Sequence, residues 1–391
     1  MIDYNSVLSP RVKGIAPSGI RKFFDLLENM HSSDAISLGV GEPDFVTPWH
    51  IRDAGIYALE KGFTKYTSNA GLMELRREIS KYLYRRFNLS YDPARQIVVT
   101  VGGSEGIDLA VRAVVSEGDE VIVPVPSFVC YGPIVAMAGG VPVYVETRAA
   151  DEFRLTPEAL RAAITPRTKM VVLPFPNNPT GGIMERRDLE ALAEVLRGTD
   201  ILVLSDEIYA ELTYGGHHVS MANLPDMAER TLVVNGFSKS HAMTGWRMGY
   251  LCGPEPLIKQ MLKIHQYAIM CAPTTSQYAA VEAMRSGDHD VETMRKDYDY
   301  RRRFLLDKLR AAGLECFEPR GAFYMFPSIR STGMTSAEFC ERFLVEEHVA
   351  AIPGNAFGQG GEGFVRMCYA SSLQNLSESM DRLERFLAKI R

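Results

Sequence analysis

The sequence predicts an α/β protein in which helices cover a mostly parallel sheet, with a smaller α+β domain beside it. Two observations support this fold class: short runs of β-branched residues alternate with helix-like segments, and the pattern changes after about residue 275. Most runs are apolar on both faces, as strands covered by helices on both sides tend to be. We predict a seven-stranded sheet from the runs Ile97–Val101, Val121–Val123, Val141–Val145, Met170–Leu173, Ile201–Leu204, Thr231–Val234 and Met248–Cys252.

Helix-like segments lie between several of these runs, for example at Glu105–Ser116 and Glu185–Leu196. Beyond the change in pattern the chain is mostly helical, with two further short strands. We expect an N-terminal segment 1–45 that joins the small domain, a large domain 46–285 and a small C-terminal domain 286–391. The C-terminal helices are predicted at Gln277–Arg285, Val291–Ala312, Ser336–Glu347 and Leu376–Lys389, and the strands at Gly321–Phe326 and Phe364–Tyr369.

The composition is typical of a cytoplasmic protein of two domains. The chain has 391 residues, of which 46% are hydrophobic, and this is enough for a large core. Its net charge of −5, with no long block of one sign, argues against nucleic acid as a partner. The six cysteines lack the spacing of a metal site or a redox pair, so we expect reduced thiols and no metal. An apolar leader is not evident at the start of the sequence.

The uncharged stretch Val121–Val145 is the segment that most resembles a membrane span. Four prolines and three glycines interrupt it, and prolines at this spacing would break a helix exposed to lipid. We therefore predict two buried strands flanking a short helix, and no contact with a membrane.

Ligands of open α/β sheets bind at the carboxyl ends of the strands, so the residues that follow each run are the candidates for a site. The first run is followed by Gly102–Gly106, which opens a helix whose free N–H groups and dipole favour a phosphate. An ordinary tight turn is the alternative, because the segment lacks the glycine spacing of a dinucleotide site. The fourth run is followed by Pro176–Gly181, which offers two Asn side chains or is simply an Asn-rich turn.

Charged residues follow two later runs. Asp206 follows the fifth, where a buried carboxylate is costly unless it pairs with a structural cation or with a cation on a ligand. Lys239 closely follows the sixth, with Arg247 eight residues further on. A partly buried lysine near another cation has a lowered pKa and can become a nucleophilic amine. Arg247 can hold a phosphate through two hydrogen bonds.

One kind of ligand would use all of these places together, namely a phosphorylated heterocyclic aldehyde. Its phosphate would take the helix N-terminus and Arg247, and its aldehyde would take Lys239. Its protonated ring nitrogen would pair with Asp206, and its phenolic oxygen would accept hydrogen bonds from Asn178 and Tyr209. Each place alone is ambiguous, and their coincidence at strand ends is what points to this ligand.

At this point the sequence resembles the class I/II aminotransferases of pyridoxal-phosphate (PLP) fold type I, most closely the branch with bacterial and archaeal aspartate and aromatic aminotransferases. The resemblance covers almost the whole chain and implies a homodimer that uses pyridoxal 5'-phosphate. It rests on several motifs in order: Ser18–Arg21, Leu38–Phe45, Tyr66–Gly71, Gly102–Gly106, Asn177–Gly181, Met243–Arg247, Gly321–Tyr324 and Val365–Met367.

Within this resemblance, four residues match the groups around the cofactor ring. Lys239 matches the lysine that holds the cofactor as a Schiff base, and Asp206 matches the aspartate that pairs with the pyridine nitrogen. Asn178 and Tyr209 match the pair that hydrogen-bonds the ring oxygen. Lys239, Asp206 and Tyr209 are therefore the expected catalytic residues.

The same resemblance implies a phosphate site. Gly103, Ser104 and Glu105 match the phosphate-binding turn, and Arg247 matches the phosphate arginine.

One departure from the family lies close to the lysine. Many relatives carry a serine three residues before it, whereas this chain has Gly236 there and keeps Ser238. We expect a loss of about 1 kcal/mol from one missing hydrogen bond. Phe128 matches the aromatic residue that stacks on the cofactor ring.

For the substrate, Arg366 matches the arginine that binds the α-carboxylate, and Gly41 matches a backbone group beside it, with Asn178 close by. Ile20 belongs to the segment that folds over an occupied site in this family. Tyr66 matches a tyrosine that reaches the phosphate of the neighbouring subunit, which implies shared sites in the homodimer.

The implied reaction moves the amino group of an L-amino acid to a 2-oxo acid such as 2-oxoglutarate. A C–S lyase or a decarboxylase on the same fold would use the same lysine, aspartate and arginine. A PLP-binding regulator would need a DNA-binding segment, and a nicotinamide dehydrogenase would need the missing glycine fingerprint.

The amino donor is the main open question. Dicarboxylate-specific relatives often use a second arginine from a loop before the long helix, but residues 265–284 contain no Arg or Lys. Aspartate would need a cation from elsewhere, such as Arg11, Lys13 or Arg21, so an apolar, aromatic or broad donor range is favoured. His265 is expected to be a core or pocket-lining residue, and the run Arg301–Arg303 a solvated helix face.

Overall fold

A seven-stranded sheet forms the framework that positions the strand-end residues. The structure is a computed structural model that describes residues 2–17, 19–20 and 34–390. Its strands are β1 Ile36–Ser37, β2 Ile97–Thr100, β3 Glu120–Val125, β4 Val141–Glu146, β5 Thr168–Leu173, β6 Leu202–Asp206, β7 Thr231–Gly236, β8 Gly249–Cys252, β9 Tyr324–Met325, β10 Val349–Ala350, β11 Ile352–Pro353 and β12 Val365–Cys368.

The large sheet has the strand order β2-β8-β7-β6-β5-β3-β4, and all seven predicted runs form its strands. Pairing is parallel from β7 through β6, β5 and β3 to β4. Only β8 runs antiparallel to its neighbours β2 and β7. The strands β2, β3, β7 and β8 are buried along their whole length, because helices cover both faces of the sheet. The predicted fold class is confirmed.

Helices pack on the large sheet and build the smaller domain. Apolar side chains from the helices and strands form separate clusters on either side of the sheet. The described helices are α1 Tyr4–Val7, α2 Pro10–Lys13, α3 Trp49–Glu60, α4 Met73–Phe87, α5 Gly102–Val114, α6 Tyr131–Met137, α7 Pro157–Ala163, α8 Arg186–Leu196, α9 Glu255–Ala268, α10 Thr274–Ser286, α11 Asp288–Ala311, α12 Ser336–Glu347 and α13 Leu373–Ile390. Short 3₁₀ turns occur at Ala149–Asp151, Met221–Asn223, Ala228–Arg230, Arg330–Thr332, Gly354–Phe357 and Gln359–Gly361.

The C-terminal part is built on two small sheets, in the orders β11-β12-β9 and β1-β10. The N-terminal strand β1 pairs in parallel with β10, where Ile36 lies opposite Val349. Leu38 belongs to the same apolar cluster as Phe339 and Phe386, so the segment around Leu38 packs on the C-terminal helices. The limits 1–45, 46–285 and 286–391 stay a prediction.

Two sequence predictions need correction. Arg301 and Arg302 are buried rather than solvated, because Arg301 pairs with Asp44 at 2.8 Å and Arg302 pairs with Asp299 at 2.8 Å. The stretch Val121–Val145 does form two strands around a short helix, but its second strand is the partly exposed edge of the sheet. No helix in the described ranges is both long and apolar enough to cross a lipid bilayer.

Candidate active site

A cavity of about 580 Å³ lies at the carboxyl ends of the parallel strands, and Tyr324 and Arg366 from the C-terminal part of the chain also line it. It collects most of the residues that the sequence predicted for the site, as expected for an open α/β sheet. These are Ile20, Gly41, Gly103, Ser104, Phe128, Asn178, Asp206, Tyr209, Ser238, Lys239, Arg247 and Arg366. Lining residues to which the sequence assigned no role of their own include Val40, Glu42, Tyr131, Thr244 and Tyr324.

Lys239 presents its amine to this cavity from the loop after β7. The Nζ atom donates a hydrogen bond to the backbone oxygen of Gly41, 2.7 Å away. Burial lowers the pKa of the Lys239 amine to about 8, with Glu42 opposing and the positive charges of Arg366 and Arg247 assisting. About a tenth of the amine is therefore uncharged at pH 7 and about half at pH 8, and the uncharged form is the one that acts as a nucleophile or a proton acceptor.

Asp206 ends β6 and is only 7% exposed. Its Oδ2 accepts a hydrogen bond from the hydroxyl of Tyr131 at 2.7 Å, and its Oδ1 accepts one from the backbone N–H of Ile208 at 3.2 Å. Burial raises the pKa of the Asp206 carboxyl to about 6, and the two hydrogen bonds oppose this rise. A cationic ligand atom would stabilise the charged form of this carboxylate.

The predicted phosphate turn begins α5, and Gly102 has a positive φ of 74° there. A Cβ atom on Gly102 would lie 2.6 Å from Nη2 of Arg247, so the guanidinium rests against the glycine backbone. The glycine therefore leaves space for the Arg247 guanidinium beside the N-terminus of α5. A cation at a helix N-terminus suits a phosphate.

The Glu105 side chain does not line the cavity. Its Oε2 accepts the backbone N–H of Val101 at 2.5 Å, and its Oε1 lies 2.6 Å from Nδ1 of His265. His265 is fully buried, so the Glu105–His265 pair supports the turn from the protein interior. The sequence predicted a core or pocket-lining role for His265 but gave no sign of its partner.

Arg366 enters from β12 and is 2% exposed. Its guanidinium donates to Oδ1 of Asn178 at 2.9 Å and to the backbone oxygen of Gly39, neither of which carries a charge. It lies between the rings of Tyr324 and Phe357, 4.6 and 4.9 Å from their centres. A buried arginine held by uncharged groups is suited to bind a carboxylate from a ligand.

Tyr209 extends this arrangement. Its hydroxyl forms a hydrogen bond with the hydroxyl of Tyr324 at 2.8 Å, and burial raises its pKa well above the ordinary value. The phenol therefore stays protonated and can donate a hydrogen bond at neutral pH.

Other predicted residues lie outside the cavity. Tyr66 is 82% exposed and is not among the residues that line it. Arg11 pairs with Glu117 on the surface, and Lys13 is exposed. Ser18 and Arg21 lie outside the described residues.

The donors of the cavity match the groups of the predicted ligand. An uncharged lysine amine suits an aldehyde, the buried Asp206 suits a protonated ring nitrogen, and Arg247 beside the glycine turn suits a phosphate. Arg366 is left for the carboxylate of a second molecule. The residues present therefore fit pyridoxal phosphate and an amino acid.

Known proteins with similar sequences and structures support this interpretation. Residues 33–383 match the family described as aminotransferase class I and II. The chain is 52% identical to a putative aminotransferase of Bacillus subtilis over 98% of its length and 99% of that protein. It is 44% identical to an aspartate aminotransferase of Pyrococcus abyssi, over 97% and 98% of the two chains. The crystal structure of an aromatic aminotransferase from Pyrococcus horikoshii superimposes with a TM-score of 0.89 at 43% identity, covering 95% of this chain and 99% of that one.

Proposed function

Because the chain belongs to the class I and II aminotransferases, we propose that the cavity around Lys239 is where it moves an amino group from an L-amino acid to a 2-oxo acid. The predicted family, the transaminase activity and the pyridoxal 5'-phosphate cofactor are confirmed by the family match and by relatives at 40–52% identity. The assignment of individual residues is our proposal.

One observation carries this assignment: an amine, a buried carboxylate and a buried guanidinium converge on a single cavity. Lys239, Asp206 and Arg366 come from three separate segments of the chain, and each of the three faces this space. None of them forms a salt bridge with another, since Lys239 bonds a carbonyl, Asp206 a phenol and Arg366 an amide. Three charges held apart in this way are suited to bind ligands of complementary charge.

The proposed cofactor contacts follow from these positions. The turn with Gly103 and Ser104 would hold the phosphate together with Arg247, and Glu105 would brace that turn. When bound, the cofactor supplies a ring that can accept the electrons released at the α-carbon of the substrate.

The side chains around the ring have separate tasks. Asp206 would keep the ring nitrogen protonated, while Asn178 and Tyr209 would donate hydrogen bonds to the ring oxygen. Phe128 would cover one face of the ring. Ser238 lies next to the lysine and would hydrogen-bond the phosphate.

The substrate is oriented by the remaining groups. Arg366 binds the α-carboxylate with its two terminal nitrogens, and Gly41 and Ile20 lie beside this place. Fixing the carboxylate also fixes which bond of the α-carbon faces the electron-accepting ring. The neutral amine of Lys239 then removes the α-proton as a general base and can return it as an acid, because its pKa is about 8.

We propose an apolar, aromatic or broad range of amino donors, with 2-oxoglutarate as an acceptor. In the described part of the chain, the cations that line the cavity are Lys239, Arg247 and Arg366, and each has a role above. A distal carboxylate would therefore need a cation from outside this set. Names alone do not decide the donor, since relatives of similar identity are called aspartate and aromatic aminotransferases.

We also propose a homodimer in which Tyr66 contacts the cofactor phosphate of the second subunit. Tyr66 is 82% exposed, and large apolar side chains such as Val46 and Trp49 are exposed on the same part of the chain. Exposed apolar residues in this number suggest a surface that is covered in an assembly. Light scattering of the purified protein would give the mass of a single chain if this proposal is wrong.

A cytoplasmic location completes the proposal. All six cysteines are free thiols, as proteins in reducing compartments tend to keep them.

The test is an absorbance scan of the purified protein while single L-amino acids are added: aspartate, alanine, tyrosine, phenylalanine, cysteine and an acylated diaminopimelate. We expect the band of the lysine-bound cofactor to disappear with a donor and to return with 2-oxoglutarate. The fastest amino acid identifies the donor class. Release of pyruvate from cysteine without any change of the cofactor would instead indicate a lyase.

A pair of lysine variants provides the control. Lys239→Ala should lose the band and the turnover, whereas Lys263→Ala removes an exposed lysine on α9 and should keep both. Near-normal turnover in Lys239→Ala would contradict the assignment of the catalytic amine.

A further inference from the structure

Tyr131 is a lining residue of the cavity to which no role has been given so far. It is the first residue of α6, shortly after β3 ends, and it is 3% exposed. Its hydroxyl donates to Oδ2 of Asp206 at 2.7 Å, while the backbone N–H of Ile208 occupies Oδ1. Two donors from distant parts of the sequence thus fix the orientation of the carboxylate.

The other titratable groups close to Asp206 do not stabilise its negative charge. In the described part of the chain they are Cys130 and Glu207. Glu207 carries a charge of the same sign, and that charge raises the pKa of Asp206. Among the described side chains, the hydroxyl of Tyr131 is the one that donates a hydrogen bond to this carboxylate.

We propose that Tyr131 is a positioning residue for the amino-group transfer, because its hydroxyl holds Asp206 charged and aimed at the cofactor's ring nitrogen. The inference rests on the proposed function, since it requires pyridoxal phosphate in the cavity. The buried carboxylate and the ring nitrogen share one proton, which stays on the group with the higher proton affinity. A hydrogen bond to the charged carboxylate lowers its proton affinity and therefore keeps the proton on the nitrogen.

Removing the hydroxyl has a defined consequence. In Tyr131→Phe the proton moves from the ring nitrogen to Asp206, and the ring then accepts electrons less readily. Loss of a hydrogen bond to a charged group changes a proton-transfer equilibrium by about tenfold to hundredfold, so we expect kcat to fall by about that factor. The KM of the amino acid changes little, because Arg366 and its partners are untouched.

The direct measurement is the ¹⁵N NMR signal of the holoenzyme reconstituted with pyridoxal phosphate labelled at the ring nitrogen. In the wild-type protein we expect the signal of a protonated ring nitrogen across pH 6 to 9. In Tyr131→Phe the signal should move towards that of an unprotonated nitrogen. A signal that stays at the protonated position together with an unchanged kcat would overturn the proposal.

A control separates this effect from a general change in packing. Tyr91→Phe also removes a buried hydroxyl, and that hydroxyl has no hydrogen-bond partner in the described part of the chain. It should leave the nitrogen signal and kcat unchanged, and a shift as large as that in Tyr131→Phe would contradict a specific role.

A second variant keeps the proposal testable if Tyr131→Phe does not fold. Fluorotyrosine at position 131 makes the hydroxyl a stronger donor, so the nitrogen should remain protonated to a higher pH than in the wild type. No shift, or a shift to lower pH, would contradict the proposal. If the wild-type protein binds no cofactor, the proposed function is wrong. If the wild-type protein behaves as expected and Tyr131→Phe changes neither the nitrogen signal nor kcat, only the role of Tyr131 is wrong.

Discussion

Replacing Asp206 by Asn in the cofactor-free protein isolates the effect of this buried charge on stability. The structure places the carboxylate at 7% exposure, with hydrogen bonds from Tyr131 and from the backbone of Ile208. Asn has nearly the same shape, and its side-chain oxygen can still accept the hydrogen bond from the phenol. The substitution therefore removes the charge while it keeps most of the contacts.

The magnitude follows from the pKa of the carboxyl. Burial raises this pKa from 3.8 to about 6, so folding favours the protonated form. The stability linked to this group is fully present below about pH 4 and is lost as the pH rises through about 6. A difference of about 2 pH units corresponds to about 3 kcal/mol at pH 8, and to about 1 kcal/mol near pH 4.5. We expect Asp206→Asn to be more stable than the wild type by these amounts.

The assay is urea unfolding of both cofactor-free proteins at the two pH values and at one protein concentration, because association would otherwise shift the midpoints. The holoenzyme should show the opposite order, since a charged Asp206 would pair with the ring nitrogen. The reasoning is refuted if Asp206→Asn is no more stable at pH 8, or if its advantage is the same at both pH values.

Three further predictions concern other parts of the cavity. Cofactor-free protein should bind pyridoxal phosphate at a rate that rises with pH and levels off above about pH 8, because the pKa of Lys239 is lowered to about 8. Stopped-flow absorbance measures this rate, and a rate that levels off only near pH 10 would contradict the prediction. Arg366→Lys should raise the KM of the amino donor by at least about tenfold, because a lysine could not form the proposed bidentate contact with the carboxylate. Steady-state kinetics would show an unchanged KM if Arg366 is not the carboxylate site. Gly249→Ala places a Cβ atom 2.7 Å from the nitrogen of Gly103, which should strain the phosphate turn by about 1–3 kcal/mol. Titration with pyridoxal phosphate should therefore show at least about tenfold weaker binding, and wild-type affinity would contradict this prediction.

Much of the fold could be predicted because the buried strands carry a strong local signal. The run Thr231–Val234 predicted β7 to within two residues, and the helix Ser336–Glu347 was predicted with its observed bounds. The reversed direction of β8 could not be read from its sequence. A buried strand is apolar on both faces whether its neighbours run parallel or antiparallel, and only the connections decide its direction.

The candidate site was predictable where residues follow strands, as for Asp206 and Lys239. No role was predicted for Tyr131 or for Tyr324, because an aromatic residue beside a buried segment has the same pattern as an ordinary core residue. Their roles depend on partners 75 and 115 positions away in the sequence, which only the folded chain brings together. The burial of Arg301 was missed for the same reason, since its partner Asp44 is 257 positions away.

The charges of the cavity explain why the stability of the protein and the chemistry of the site are coupled. Among the described residues the Asp206 carboxylate forms no salt bridge, the Arg366 guanidinium is held by uncharged groups, and burial depresses the pKa of Lys239. Each of these groups opposes folding to some degree, because a buried charge without a partner of opposite sign is unfavourable. In the proposed function, a phosphorylated pyridine aldehyde would supply a cation to the first and consume the amine of the third, and an amino acid would supply the carboxylate for the second. Binding would therefore offset the free-energy cost of burying these charged groups, and the same burial makes the groups reactive. The cofactor and the substrate should thus stabilise the folded protein in proportion to how well they match these charges.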